Sequence, residues 1–351
     1  MKKIYSNVAE ASVLPDIIKL TDNLYCAKFF LMKLLPAKFI LEDAVASGRV
    51  GSQTIILEST SGTFGLALAI LCNRYKLKLI LVSDPAIDNV LKARLEELGA
   101  EVDICETPAA SGGYQRARLD KLEYYKEKYP DHFFPAQYVN KMNPGAYALF
   151  AEQIISSFGK VDALVGSVGS GGSMCGTLSY LRKINPRTIG VGVDSHDSML
   201  FGRKDGGAMR VIRGLGNSLM PDNLDHSKFD QVHWLTSEEI ACATRELHSL
   251  HGIYAGPTSG ATYKVASHVA RENPDQTVLF ISADEGYRYG NTIYNDRWVL
   301  DQGFSLNDEY RQSRPKLITH PEETIEHWSH LHWDRRSLKQ VMVGSPAKAL
   351  I

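Results

Sequence analysis

The sequence predicts an α/β protein of two domains with mostly parallel sheets. Three observations carry this. The chain has 351 residues, more than one hydrophobic core usually supports. Short runs rich in Val, Ile and Leu alternate with helix-period segments. Those runs are apolar throughout rather than at every second residue, which suits parallel strands covered on both faces.

The elements follow in two series. TIILE (Thr54–Glu58) reads as a strand and SGTFGLALAILCNRY (Ser61–Tyr75) as the helix after it. KLILVSD (Lys78–Asp84) is the next strand, NVLKARLEELGA (Asn89–Ala100) a helix closed by Gly99, and EVDICE (Glu101–Glu106) a third strand. A charged helix runs from the glycine pair 112–113 to about Tyr129. The second series opens with the helix NPGAYALFAEQIISSFG (Asn143–Gly159) and the strand DALVGSV (Asp162–Val168). A Gly-rich turn, a helix to about Ile184 and the strand TIGVGVD (Thr188–Asp194) come next, then a helix over Ser237–Gly252 and the strand TVLFISAD (Thr277–Asp284). The expected division is a smaller domain over 40–140, a larger one from 1–39 and 141–305, and a C-terminal tail over 306–351. The cleft between two such domains is the expected place for a site.

Composition excludes several classes. The chain is 44% hydrophobic and 23% charged with a formal net charge of −1, so neither nucleic acid nor an anionic membrane is an expected partner. No apolar run approaches about 18 residues, and the N-terminus lacks the apolar core of a signal peptide. Five scattered cysteines without C-x-x-C spacing suit reduced thiols in a cytoplasm. No metal site is expected. The tail holds His320, His327, His330 and His332 around Trp328 and Trp333, and reads as a surface-packed segment with aromatic anchors.

Three loops carry the chemistry. GSVGSGGSMCG (Gly166–Gly176) joins a strand to a helix. Its small residues let backbone amides close on an anion, and the helix N-terminus adds about half a positive charge. Met174 stands where the dinucleotide fingerprint needs glycine, and no lysine follows as a nucleoside-triphosphate loop requires. Gly169, Ser170, Gly171, Gly172 and Ser173 then form a phosphate cup without a nucleotide signature, which suits a phosphorylated cofactor. ESTSGTFG (Glu58–Gly65) presents Thr60, Ser61 and Thr63 at a second helix start, a carboxylate site by the same dipole argument, with Thr60 or Ser61 also able to serve as the N-cap. YAGPTSGA (Tyr254–Ala261) sets Thr258 and Ser259 before a third helix. Two lysines, Lys33 and Lys38, stand in the apolar run FLMKLLPAKFILEDA.

In this order the loops resemble the cysteine synthase group of pyridoxal-phosphate enzymes, of the tryptophan-synthase-β fold type (fold type II). The resemblance spans about Ala11 to Val299 and rests on ESTSG with GLALA, GGYQRARL, GSVGSGGSMCG, VDSHDSMLFG, GLG at 214–216, GIYAGPTSGA and DEGYRY. PAKFIL, GGYQRARL and DSMLFG look most like the branch that uses O-phospho-L-serine. The resemblance implies pyridoxal 5'-phosphate as cofactor, amino-acid substrates and a homodimer. Lys33-Leu34-Leu35-Pro36-Ala37 matches the end of the family's lysine motif, with ungapped spacing to Glu42-Asp43, so Lys33 becomes the cofactor lysine and Lys38 a structural one. About six residues are fewer between Lys28 and Lys33, the family's Asp-Arg is Leu34-Leu35, and its cofactor-binding Asn is Thr63. The implied roles put the substrate carboxylate on Thr60, Ser61, Thr63 and Gln137, the cofactor phosphate on Gly169–Ser173, and the Thr258 hydroxyl on the pyridine nitrogen. Arg213 is the candidate for a leaving phosphate. Lys33 removes the α-proton of an O-activated serine, the β-substituent departs, and a second nucleophile adds to the β-carbon. An amino-acid amine, sulfide (a cysteine synthase) and a catalytically silent binding protein remain alternatives.

Overall fold

The computed structural model describes residues 4–343 except 61, 111–112, 205–211, 213, 306–307 and 324–326. Among these, twelve strands follow in chain order: β1 (Asp16–Lys19), β2 (Leu24–Lys28), β3 (Ile55–Ser59), β4 (Leu79–Ser83), β5 (Ala100–Ile104), β6 (His132–Phe133), β7 (Ala163–Ser167), β8 (Ile189–Ser195), β9 (Gln231–Leu235), β10 (Val278–Ser282), β11 (Lys316–Leu317) and β12 (Trp328–His332). They form two sheets in two compact units. The first unit is Met1–Val13 with Leu31–Ala146, and the second is Leu14–Phe30 with Tyr147–Ile351. Residues 1–13 and 31–39, expected with the larger domain, therefore cluster with the first unit, and Lys33 with them.

The first unit holds a four-stranded parallel sheet in the order β5-β4-β3-β6. Every residue of β4 is buried, as its uninterrupted apolar run requires. The charged helix Gly113–Lys128 contributes Leu122 and Tyr125 to a core with Leu57, Ile80 and Val82. Burial of such side chains is worth about 1.5–3 kcal/mol each.

The second unit holds an eight-stranded sheet, β1-β2-β10-β7-β8-β9-β12-β11. Its centre, from β2 to β9, is parallel. Outside it, β1 pairs antiparallel with β2 and β12 antiparallel with β9, while the outermost β11 pairs parallel with β12. Helices Ser237–His251 and Pro257–Glu272 pack closely at Gly260, where an added Cβ would fall 2.5 Å from the backbone of Thr244.

The tail differs from the expected surface segment. Trp328 and Trp333 are buried, and β12 pairs along the whole of β9. Trp328 Nε1 donates to His233 Nδ1 at 3.1 Å, and the His330 ring stacks on His233 with centroids 5.1 Å apart. Burial holds His233 well below the ordinary histidine range and His330 at about 4, so both are neutral packing groups. Among the described residues, no group of three or more His, Cys, Asp or Glu is placed to hold a metal ion, and no helix is long and apolar enough to cross a membrane.

One buried ion pair allows a stability prediction. Lys264 Nζ lies 2.8 Å from Glu239 Oε2, with side-chain exposures of 9% and 0%. The ammonium also donates to the Tyr310 carbonyl and sits 5.2 Å from the Trp328 ring centroid. Lys264→Met should cost about 3–5 kcal/mol, because it strands a buried carboxylate; adding Glu239→Leu should recover most of that. Urea denaturation of the two variants measures both. A single variant as stable as the parent would mean that the pair is hydrated.

Candidate active site

The first unit carries one half of the candidate constellation. Lys33 occupies the N-cap position of helix Leu34–Ala46, its carbonyl accepting from the Ala37 amide at 3.2 Å. Pro36 fits in the first turn because that amide would have no intrahelical acceptor. Leu31, Met32, Leu34 and Leu35 around the lysine are all buried. Desolvation lowers the Lys33 amine to about 8, since burial penalises the ammonium and not the neutral amine. Lys38, five residues on, is engaged elsewhere: its ammonium lies 2.6 Å from Glu42 Oε2, while Glu42 Oε1 accepts from the Tyr75 hydroxyl at 2.8 Å. The two lysines of one apolar run thus have different environments.

Thr60 follows β3 and is buried, and Thr63 opens helix Thr63–Tyr75. The cap of this helix is neither threonine nor serine. It is Gly62, which has no side chain of its own to bond the first amides; Thr60 Oγ1 accepts from the Gly62 amide at 3.2 Å. An N-terminus without a side-chain cap leaves its first amides to an anion. Ser61, predicted for the same loop, lies outside the described residues. Gln137 is buried, and its carbonyl accepts from Asn143 Nδ2 at 2.6 Å. It follows Ala136, whose φ of +54° sits in the left-handed region. Glu58, one residue before Ser59, accepts from that amide at 2.9 Å; burial pushes its carboxyl up to about 8.

The sequence reading passed over Arg118. It lies on helix Gly113–Lys128, and its Nη1 is 3.2 Å from Asp84 Oδ2 with both side chains largely buried. Asp84 follows β4 and Thr60 follows β3, and these neighbouring strands are parallel, so both residues stand at the strand carboxyl ends. Among the described residues Arg118 Nε has no hydrogen-bond partner. One arginine among the charged residues of a helix gives no signal of its own in sequence. Only the inward turn of its face does.

The second unit carries the other half. Val168 to Gly171 follow β7 and lead into helix Gly172–Ile184. Gly171 is the cap, with φ +80°, and an added Cβ would lie 2.7 Å from Leu224 Cα and 2.9 Å from the Asn223 carbonyl. Only glycine combines that torsion with that approach. The cap, being glycine, has no side chain of its own to bond the first amides, and Ser170 and Ser173 are buried on either side of it. Thr258, also buried, is the second residue of helix Pro257–Glu272. One loop residue touches both: an added Cβ on Gly214 would meet Thr258 Cγ2 at 3.3 Å, and one on Gly169 would meet the Gly214 carbonyl at 3.4 Å. The cup and the Thr258 hydroxyl therefore share a neighbourhood within this unit. Arg213, predicted as a phosphate ligand, lies outside the described residues.

Within the second unit, a glycine-capped helix start with a neutral hydroxyl nearby fits a phosphorylated cofactor; the first unit by itself supplies a lysine whose amine burial holds partly unprotonated. A phosphate-binding helix start and a lysine with a lowered pKa are what a pyridoxal-phosphate enzyme requires. The comparisons agree. The model of the pyridoxal-phosphate dependent enzyme family matches residues 32–284, and the chain belongs to that family. It is therefore a pyridoxal-phosphate dependent enzyme.

Solved structures give the same fold. A hydrogen sulfide-producing enzyme of Fusobacterium nucleatum aligns with a TM-score of 0.75 at 26% identity, over 82% of this chain and 99% of its own. An O-acetylserine dependent cystathionine beta-synthase of Helicobacter pylori has a TM-score of 0.75 and 27% identity, over 84% and 100%. The O-acetyl serine sulfhydrylase isoform 3 of Entamoeba histolytica, at 23% identity and TM-score 0.75 over 86% and 97%, bears on the fold alone.

Proposed function

We propose that this enzyme performs β-replacement on an O-activated L-serine, with the amine of a second amino acid as nucleophile. The observation that carries the reading is Lys33: a lysine in the stretch that resembles the family's lysine motif, whose amine burial brings to about 8, in the unit that also holds the candidate carboxylate loop. When bound, pyridoxal phosphate supplies the electron sink that acidifies the substrate α-proton. The residues of the chain do the rest. The glycine-capped start of helix Thr63–Tyr75, with Thr60, Ser61, Thr63 and Gln137, orients the substrate carboxylate. Lys33 Nζ takes the α-proton. The Cβ–O bond breaks, and a Cβ–N bond forms with the incoming amine. Gly169–Ser173 hold the cofactor phosphate. Thr258, being neutral, leaves the pyridine nitrogen without a charged partner, which suits elimination and addition better than a long-lived carbanion.

For the particular reaction, we favour O-phospho-L-serine as donor and glutamate as acceptor, as in the N-(2-amino-2-carboxyethyl)-L-glutamate synthase of siderophore pathways that PAKFIL, GGYQRARL and DSMLFG resemble. A cytoplasmic homodimer goes with that reading, and size-exclusion chromatography tests the dimer. The rival is sulfide with O-acetylserine. It draws support from two neighbours above 25% identity, one named for sulfide production and one for its use of O-acetylserine.

The two readings separate on the donor. A leaving phosphate needs cationic donors, and Arg118 and Arg213 are the candidates; such charge-assisted bonds are worth about 1.5–3 kcal/mol. Changing the responsible arginine to alanine should lower kcat/KM for O-phosphoserine by about one to two powers of ten and leave O-acetylserine nearly untouched. The ratio between donors is read, because it does not depend on how much of a variant is folded. Equal loss on both donors assigns the arginine to structure. Parent enzyme active only with O-acetylserine and sulfide moves the assignment to cysteine synthase.

A further inference from the structure

The C-terminal tail grips the segment 196–203 at three points. Arg203 is the main one. Its Nη1 donates to the Pro321 carbonyl at 2.8 Å and, longer, to the Glu323 carbonyl at 3.4 Å. Its Nε donates to the His196 carbonyl at 3.2 Å, and its guanidinium lies 5.9 Å from the Trp234 ring centroid. One planar fork thus ties the segment to itself and to the tail, which a lysine could not reproduce. At the second point the His196 ring Nε2 is 3.0 Å from the His327 carbonyl. At the third, Gly202 packs so closely on the terminal helix Leu338–Val343 that an added Cβ would lie 2.5 Å from Met342 Sδ.

The same segment holds the loop that touches the cofactor residues. The Met199 amide donates to the Asn217 carbonyl at 2.9 Å, and the Asn217 amide donates to Ser198 Oγ at 3.2 Å. Next in line, Gly216 has φ +75° and lies flat against Ser198 and Asp194, an added Cβ coming 2.6 Å from Ser198 Cβ. The Gly216 amide donates to the Val168 carbonyl at 2.8 Å, one residue before the phosphate cup. Gly214, two residues away, is the residue that meets both Gly169 and Thr258. An unbroken series of short contacts runs from the tail carbonyls to the cofactor pocket of this unit. The tail itself lies beyond the family match, which ends at residue 284.

We propose that the tail is a brace for the cofactor-side loop, and that Arg203 is a positioning residue which sets the Gly214–Asn217 loop through it. The inference rests on the assignment of the cup and Thr258 to the cofactor, and not on the choice of donor.

The test uses the full-length holoenzyme with Arg203→Ala, Arg203→Lys and, at the other contact, Met342→Asp. Three quantities are read: the visible circular dichroism of the bound cofactor, the split between donor KM and kcat, and the Tm. Arg203→Ala should change the cofactor dichroism and raise donor KM about tenfold, since small misplacements near the chemistry are costly. Its kcat should move less. Arg203→Lys should recover part of the KM change, as one carbonyl contact survives. Met342→Asp should shift the same quantities in the same direction, and it serves if Arg203→Ala does not fold. Variants that lose Tm while keeping parental dichroism and KM would overturn the proposal, leaving the tail a stabilising strap only. If the parent enzyme turns over neither donor, the donor reading has failed, and the dichroism still decides this one.

Discussion

Lys33→Ala should abolish turnover, by about ten thousandfold if the lysine serves only as general base. The loss should be larger in practice, because the cofactor would also lose its covalent anchor. Lys38→Ala should leave turnover nearly unchanged. Its i,i+4 pair with Glu42 is partly exposed, with side chains 23% and 41% accessible, so it is worth about 0.3–0.5 kcal/mol. Borohydride reduction of the holoenzyme followed by peptide mapping should place the label on Lys33, and label on Lys38 would break the assignment. The pH dependence is a second, independent test. Only the unprotonated amine can capture the cofactor, and burial lowers Lys33 to about 8. The rate at which apoenzyme takes up pyridoxal phosphate should therefore rise with pH and level off above about 8. An ordinary lysine titrates near about 10.4 and would still be rising there. The stability sign agrees: the folded amine binds its proton more weakly than the unfolded one. Burial therefore costs stability fully below about pH 8, and the cost is relieved as pH climbs from there towards the unfolded value.

The second large effect is expected at the phosphate cup. Gly171 and Gly172 should fail differently when changed to aspartate. Gly171 has φ +80° and a Cβ would fall 2.7 Å from Leu224 Cα, so Gly171→Asp should lose both cofactor and thermal stability. Gly172 is the first residue of helix Gly172–Ile184. A carboxylate in a first turn favours the helix itself by about 0.3–1 kcal/mol, yet it stands where we propose that the phosphate binds. Gly172→Asp should therefore keep most of its stability and still lose the cofactor. If two charge-assisted bonds of about 1.5–3 kcal/mol each are forfeited, affinity falls by about two to four powers of ten. Equilibrium dialysis against pyridoxal phosphate, alongside a thermal melt, separates the two. A Gly172→Asp protein that purifies with a full complement of yellow cofactor would show that the phosphate binds elsewhere.

Much of this molecule was legible before any coordinates. Strands buried on both faces cannot disguise themselves: LILVS in β4 and VLFIS in β10 are apolar because helices cover each side of a parallel sheet. Helix starts at strand ends were equally readable, since glycine and hydroxyl residues are the ones that let a backbone turn there. The edges were not. β1 is short, with polar ends, and its pairing is to β2 alone. β12 alternates Trp, Ser, His, Leu and His, which in sequence looked like a decorated surface tail. That β12 completes the sheet beside β9 depends on a partner 95 residues away in the chain for Trp328 and His233.

At the candidate site, sequence alone determined residue types and spacing: a lysine among apolar neighbours, a glycine cup and two hydroxyl loops. Tertiary structure decided which lysine is desolvated and which is paired with Glu42, because burial is set by what packs around a side chain and not by its neighbours in the chain. It placed the cap of the carboxylate loop on Gly62 rather than on a hydroxyl residue, and it turned Arg118 inward beside Asp84. It also joined the tail to the loop at Gly214–Asn217 through carbonyl groups. Backbone carbonyls are present at every residue, so no pattern of side chains could have announced which of them would be used.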